Sequence, residues 1–124
     1  MNIPQKHANR QEEITDLFLQ VMNKHLDDLV AGRSEKLISL KEIASEMCLH
    51  PVHVTNVVKL HTGHHPCHFY ELRILEEAKK LLANSALTIT EIAYRLTYDK
   101  SNFTKFFKHY QGVTPSEYRR SLSV

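Results

Sequence analysis

A chain of 124 residues with 42% hydrophobic content has room for one domain, or for two very small lobes around a shared element, and is too apolar to be disordered. No run approaches the roughly 18 apolar residues that a membrane span needs. The opening Met1-Asn2-Ile3-Pro4-Gln5-Lys6-His7 lacks the apolar stretch of a secretory signal, so the expectation is a cytoplasmic protein with no membrane partner. The net charge of +2 is too small to demand a nucleic-acid partner, but it is unevenly spread: residues 1–38 carry five basic and six acidic side chains, residues 39–124 eleven and eight.

In chain order, residues 1–8 read as a loose tail. A long amphipathic helix is expected from about Asn9 to Ala31, with Ile14, Leu17, Phe18, Val21, Leu26, Leu29 and Val30 near helical spacing and Gly32 as the stop. Glu12, Glu13 and Asp16 would lie in its first turns, where the helix dipole favours acids. Ser39-Leu40-Lys41-Glu42 is a capping box opening a helix to about Met47. His50-Pro51 starts the next helix, which ends at Gly63. His65-Pro66 starts a longer one through Leu72, Ile74, Leu75, Ala78, Leu81 and Leu82 to Asn84-Ser85. Thr88-Ile89-Thr90-Glu91 is a second capping box, Asp99 an N-cap for Lys100 to Gln111, and Gly112 its stop. Thr114-Pro115-Ser116-Glu117 opens a last short helix. The fold class expected is all-α, with about seven helices, since no segment alternates with strand periodicity.

An internal repeat organises these helices. Residues 40–70 align without a gap on residues 89–119 at an offset of 49. Glu42-Ile43-Ala44 recurs as Glu91-Ile92-Ala93, Thr55 as Thr104, Lys59 as Lys108, Gly63 as Gly112 and Pro66 as Pro115. Each copy reads as helix, tight turn, helix. Ala44 and Ala93 fall where the paired helices come closest. Met47, Val54 and Val57, with Leu96, Phe103 and Phe106, are expected to fill the two small cores. The second helix of such a pair exposes one face that fits the roughly 12 Å major groove of DNA. In copy one that face is Val52, His53, Asn56 and Lys59 with Thr55 beside it; in copy two it is Ser101, Asn102, Lys105 and Lys108 with Thr104. Neither Pro51–Thr62 nor Lys100–Gln111 contains an Asp or Glu. A solvated helix of this length ordinarily carries some acid, and a phosphate-facing one does not.

From Ser39 to Arg120 the ordered motifs resemble the DNA-binding domain of AraC/XylS-type transcription regulators. Leu40-x-Glu42-Ile43-Ala44 and His61-Thr62-Gly63-x-x-Pro66 fit the first unit of that family, and Arg73-Ile74-Leu75-Glu76-Glu77-Ala78-Lys79-Lys80-Leu81-Leu82 its linker helix. Ile89-x-Glu91-Ile92-Ala93, Ser101-Asn102-Phe103-Thr104-Lys105-Phe106-Phe107-Lys108 and Gly112-Val113-Thr114-Pro115-Ser116-Glu117-Tyr118-Arg119 fit the second. The resemblance implies two helix-turn-helix units joined by a long linker helix: residues 1–38 as tail and amphipathic helix, 39–70 as the first unit, 67–86 as the linker, and 87–124 as the second unit with the C-terminal helix. It implies a bacterial regulator with double-stranded DNA as partner, RNA polymerase as a further candidate partner, and no cofactor. Two recognition helices would enter adjacent major-groove segments of an asymmetric site spanning about two helical turns. Base edges would be met by Val52, His53, Thr55 and Asn56 from the first helix, and by Ser101, Asn102 and Lys105 from the second. Lys59 and Lys108 would hold phosphates. The family carries glycine in both turns; here Cys48 and Thr97 stand there. The second turn, Thr97-Tyr98-Asp99-Lys100, is about one residue shorter than the family pattern. Residues 1–38 are too few for an effector-binding domain, so the chain reads as a stand-alone regulator or as the DNA-binding part of a longer one.

A different class of function rests on His61, His64, His65, Cys67 and His68, with Cys48 and His50 as possible neighbours, because imidazole and thiolate are zinc ligands. Their spacing matches no zinc ribbon or finger. Protonated rings here would instead add phosphate-binding charge. The two cysteines form no C-x-x-C and read as reduced thiols. No phosphate loop, nucleophile elbow or H-E-x-x-H marks an enzyme, and Glu76-Glu77 reads as a solvated face rather than a catalytic pair. The N-terminal helix, packed on the domain or mediating dimerisation, is the remaining candidate for a protein-interaction module.

Overall fold

A computed structural model describes residues 3–84 and 86–123, with side chains from Arg10 onward. Among the described residues the protein is all-α, with seven helices: α1 (Ile3–Val30), α2 (Leu40–Glu46), α3 (Pro51–Thr62), α4 (Pro66–Asn84), α5 (Ile89–Arg95), α6 (Lys100–Gln111) and α7 (Pro115–Ser121). Met1, Asn2 and Ser85 lie outside the described residues. The chain forms two compact units, residues 1–27 with 38–71 and residues 28–37 with 72–124, so α1 and α4 each run from one unit into the other.

The expected tail at residues 1–8 is helical from Ile3. Proline is tolerated in a first helical turn, so Pro4 does not interrupt α1, and Gln5, Lys6 and Ala8 are good helix formers. In consequence Glu12, Glu13 and Asp16 lie well inside α1, and its first turn holds no acid.

In the first unit, Ile14, Phe18, Met22 and Leu26 repeat every four residues and are buried on one stripe of α1. Met22 belongs to that stripe, whereas Leu17 is exposed and Val21 half-buried. The two flank the stripe rather than lying on it. His25 on α1 meets Glu46 at the end of α2, with Nε2 2.5 Å from Oε2. Ile43, Ala44, Met47, Val54, Val57, Val58 and Pro66 are further buried apolar residues of this unit.

In the second unit, Ile74, Leu75, Ala78 and Leu82 of α4 are buried, as are Ile92, Ala93, Leu96, Phe103, Phe107 and Pro115. Full burial of one such large side chain stabilises by roughly 1.5–3 kcal/mol. Phe106, expected in this core, is only half-buried; it stacks on Tyr98 at 5.3 Å, and Phe107 takes the core position. In copy one both residues at these positions are valines and both are buried, whereas two adjacent phenyl rings are too large to share the same space. Glu77, expected on a solvated face, is also buried. Arg73 Nε lies 2.9 Å from its carboxylate and Lys80 Nζ 3.7 Å away, the pairing that a buried charge requires. Glu76, its neighbour, is exposed as expected.

All three short helices are opened by a complete capping box: Ser39 with Glu42, Thr88 with Glu91 and Thr114 with Glu117. Their side chains exchange hydrogen bonds with the opposite backbone N–H groups at 2.9–3.2 Å. Seven-residue helices are too short to stand without such help.

Candidate nucleic-acid interface

Each unit offers its own candidate surface, the second helix of its copy, and the turn before that helix sets its direction. After α2, the N–H of Cys48 reaches the carbonyl of Ser45 and that of Leu49 the carbonyl of Ala44, both at 3.0 Å. After α5, the N–H of Thr97 reaches Tyr94 O at 3.0 Å and that of Tyr98 reaches Ala93 O at 2.8 Å. Both are Schellman turns, whose closing residue must take a left-handed backbone. Cys48 has φ 60° and Thr97 φ 70°, so the two positions where the family pattern has glycine keep that conformation with a side chain in place. Four residues separate α2 from α3, and four separate α5 from α6. The two turns of this chain thus have the same length and the same bonding. Ala44 and Ala93 are fully buried beneath these turns.

The caps of the two candidate recognition helices differ. α3 is capped by His50, whose Nδ1 accepts the N–H of Val52 at 3.2 Å, a role that needs that nitrogen unprotonated. α6 is capped by Asp99, whose Oδ1 accepts the N–H of Asn102 at 2.7 Å.

On α3, Val52, His53, Asn56 and Lys59 are exposed and Thr55 is half-buried. Val52 is 59% exposed, a large apolar side chain left in water. Leu60, which the sequence reading did not single out, is 74% exposed on the same helix. On α6, Ser101, Asn102, Lys105 and Lys108 are exposed and Thr104 is half-buried, its hydroxyl donating to Lys100 O at 2.8 Å. That bond commits the hydrogen of Thr104 and leaves only its lone pairs for a ligand. Lys100, also exposed at the start of α6, was another omission; its position in the first turn is the only signal that marks it. Lys59 and Lys105 have no ion-pair partner among the described residues, while the Glu117 carboxyl, whose pKa the hydrogen bonds of Thr114 lower most, is lowered further by Lys108. Lys59 and Lys108 both occupy last helical turns, where cations complement the dipole, so their placement has a structural cause as well as a binding one.

The histidines between α3 and α4 are engaged locally. His64 and His68 stack with ring centroids 4.2 Å apart, and His65 Nδ1 accepts the N–H of Cys67 at 3.1 Å. Stacked rings cannot direct both sets of ring nitrogens at one ion. No group of three His, Cys, Asp or Glu is placed to hold a metal among the described residues. Cys48 and Cys67 are both free and exposed. No described helix is long and apolar enough to cross a membrane.

Two helix-turn-helix units with matched turns, on either side of a shared helix in the chain order, define a protein of the double helix-turn-helix class. Residues 43–121 match the helix-turn-helix domain family, and the chain belongs to that family of DNA-binding transcription regulators in its AraC-type form. It is 30% identical over 86 residues to YobQ of Bacillus subtilis, an HTH-type transcriptional regulator, covering 68% of this chain and 36% of YobQ. The chain thus spans little more than a third of that relative's length. It is similar to the C-terminal domain of AraT, a response regulator from Geobacillus stearothermophilus, with TM-score 0.68 and 27% identity, over 82% of this chain and 84% of that one. The fold is also that of the DNA-binding domain of AdpA, a global transcriptional factor solved in complex with a target DNA: TM-score 0.71, 18% identity, 84% of this chain and 90% of that one.

Proposed function

We propose that this chain binds double-stranded DNA through α3 and α6, each reading one part of a two-part asymmetric site, and that it regulates transcription by doing so. The observation that carries the reading is the pair of exposed, acid-free helical faces at equivalent positions of the repeat, each delivered by the same Schellman turn. Val52, His53, Thr55 and Asn56 meet base edges from α3, and Ser101, Asn102 and Lys105 from α6. Val52 suits a thymine methyl, Asn an adenine and Lys a guanine. Lys59, Lys108 and the lone pairs of Thr104 sit at the margins, where phosphates or bound water are the partners. Because the two faces share only Thr and Lys at matched positions, the two halves of the site differ in sequence.

Selection from a random double-stranded library at near-physiological salt tests this reading. Recovery of a two-part asymmetric motif is the result expected. Enrichment of one part alone would remove one helix from base readout, and no enrichment at all would overturn the reading.

A further inference from the structure

Asp99 makes two hydrogen bonds to the same residue. Its Oδ1 accepts the backbone N–H of Asn102 at 2.7 Å, and its Oδ2 accepts the side-chain Nδ2 of Asn102 at 2.9 Å. The first bond is an ordinary helix cap. The second does nothing for the helix backbone and acts only on the exposed amide of Asn102.

We propose that Asp99 is a positioning residue for sequence readout, holding the Asn102 amide in the one orientation that suits an adenine. This rests on the proposed reading of DNA by α6. An ionised carboxylate can only accept hydrogen bonds, so it pairs with the NH2 side of the amide and rejects the carbonyl side. The choice between the two flipped states of an asparagine, ordinarily open, is closed by the chemistry of its partner. Once Nδ2 is bound through one hydrogen, the amide keeps its second N–H and Oδ1. Adenine presents an N6 donor and an N7 acceptor in the major groove, the complement of that pair. An amide ordered before DNA arrives also loses less rotamer freedom on binding.

Two comparisons within the chain argue that the arrangement is more than a cap. At the equivalent position of copy one stands His50, which accepts one backbone N–H, and the residue matching Asn102 is His53. That cap therefore has no acceptor left for a neighbouring side chain. In addition, Asp99 places a negative charge beside a face that is otherwise free of acid, which opposes phosphate binding. Cap strength alone is matched by serine, which carries no such penalty.

The experiment measures affinity of the full chain for its selected site and for every single base-pair change in the part read by α6. Wild type is compared with Asp99→Ser, Asp99→Asn and Asn102→Ala, with thermal melting as the folding control. Serine and asparagine are both able to cap the helix; serine lacks the second acceptor, and an asparagine that caps through its amide oxygen puts a donor where Oδ2 was. Wild type is expected to prefer adenine at one position by roughly 5- to 150-fold, the span of one bidentate pair. Asn102→Ala abolishes that preference, and both Asp99 variants shrink it at the same position while leaving the others intact. If the Asp99 variants raise affinity for all sequences equally, Asp99 is a cap and a charge only, and the inference falls. If Asn102→Ala leaves every preference intact in a protein that still selects its site, readout by Asn102 falls and the inference with it. Failure of wild type to select any site is the separate failure of the proposed function.

Discussion

Nη1 of Arg119 on α7 donates to the carbonyl oxygen of Leu87 at 2.6 Å, across 32 residues of sequence. The same guanidinium reaches Leu82 O through Nε at 3.0 Å and Leu81 O through Nη2 at 3.4 Å. Leu81 and Leu82 lie in the last turn of α4, whose carbonyls have no partner within the helix. One side chain thus caps α4 and holds the segment that leads into α5, and the planar fork of arginine is what permits several contacts at once. Arg119→Ala is expected to destabilise by about 3 kcal/mol, since hydrogen bonds to charged groups are worth about 1.5–3 kcal/mol each and are not additive. Arg119→Lys should recover only part of that. Urea denaturation followed by helical circular dichroism measures both; a lysine variant as stable as wild type would show that the fork geometry is immaterial.

The left-handed turns give a prediction of opposite sign. Thr97 holds φ 70° with a branched side chain, a conformation costing roughly 1–2 kcal/mol outside glycine. Thr97→Gly relieves this but loosens the unfolded chain by about 0.5–1 kcal/mol. The net expected is a stabilisation of about 0.5–1 kcal/mol, with Cys48→Gly smaller because Cys is unbranched. A lower melting temperature for Thr97→Gly would show that the threonine side chain is not strained there.

Thr15 on α1 is 2% exposed, and its hydroxyl finds no hydrogen-bond partner. Thr15→Val keeps the shape and removes the unsatisfied group, which costs about 1–3 kcal/mol when buried. The variant should gain about 1 kcal/mol by equilibrium unfolding. No gain would mean that the hydroxyl is satisfied in solution.

Acid sensitivity is expected from the capping boxes. The backbone N–H of Thr88, and then its side chain, hold the Glu91 carboxyl below its usual value of 4.5; Thr114 does the same for Glu117, aided by Lys108 and Arg120. A carboxyl whose pKa is lower folded than unfolded stabilises the fold above the unfolded value and loses that contribution as pH falls through the folded one. Stability should therefore hold above about pH 5 and decline below about pH 4.5. Substituting both Glu91 and Glu117 by Gln, which keeps a capping acceptor, should flatten that decline. A melting-temperature profile between pH 7 and pH 3 decides it, and equal slopes would exclude these two groups as its source.

On DNA, side chains that read bases and those that hold phosphates respond differently. Asn56→Ala should cost about 1–3 kcal/mol on the selected site and much less on unrelated sequence. Lys59→Ala should weaken both alike and lower the slope of log affinity against log salt by about 0.9. Titrations at three salt concentrations separate the two. A salt slope unchanged by Lys59→Ala would take that residue off the phosphate backbone.

Much of this was legible locally. Helix starts and stops depend on contacts within four residues, so Ser39, Thr88, Asp99, Thr114, Gly63 and Gly112 announce their roles in the letters themselves. The repeat and the acid-free faces were legible for the same reason. Three features were not. The start of α1 at Ile3 follows from propensity too weak to read against Pro4. The exchange of Phe106 for Phe107 in the core depends on which ring the surrounding space admits. The burial of Glu77 depends on Arg73 and Lys80 reaching it.

By itself, the order of residues determined seven helices, two matched helix-turn-helix units and the faces they offer, because periodicity, caps and turn chemistry are short-range properties. Tertiary structure alone decided which side chains are free to act. It took Phe107 rather than Phe106 into the core, buried Glu77, and left Lys59 and Lys105 without an ion-pair partner among the described residues. It also brought Arg119 back to α4 from 37 residues away. Such pairings depend on distances of about 3 Å between groups that sequence spacing leaves undetermined, and they appear only when the chain has closed on itself.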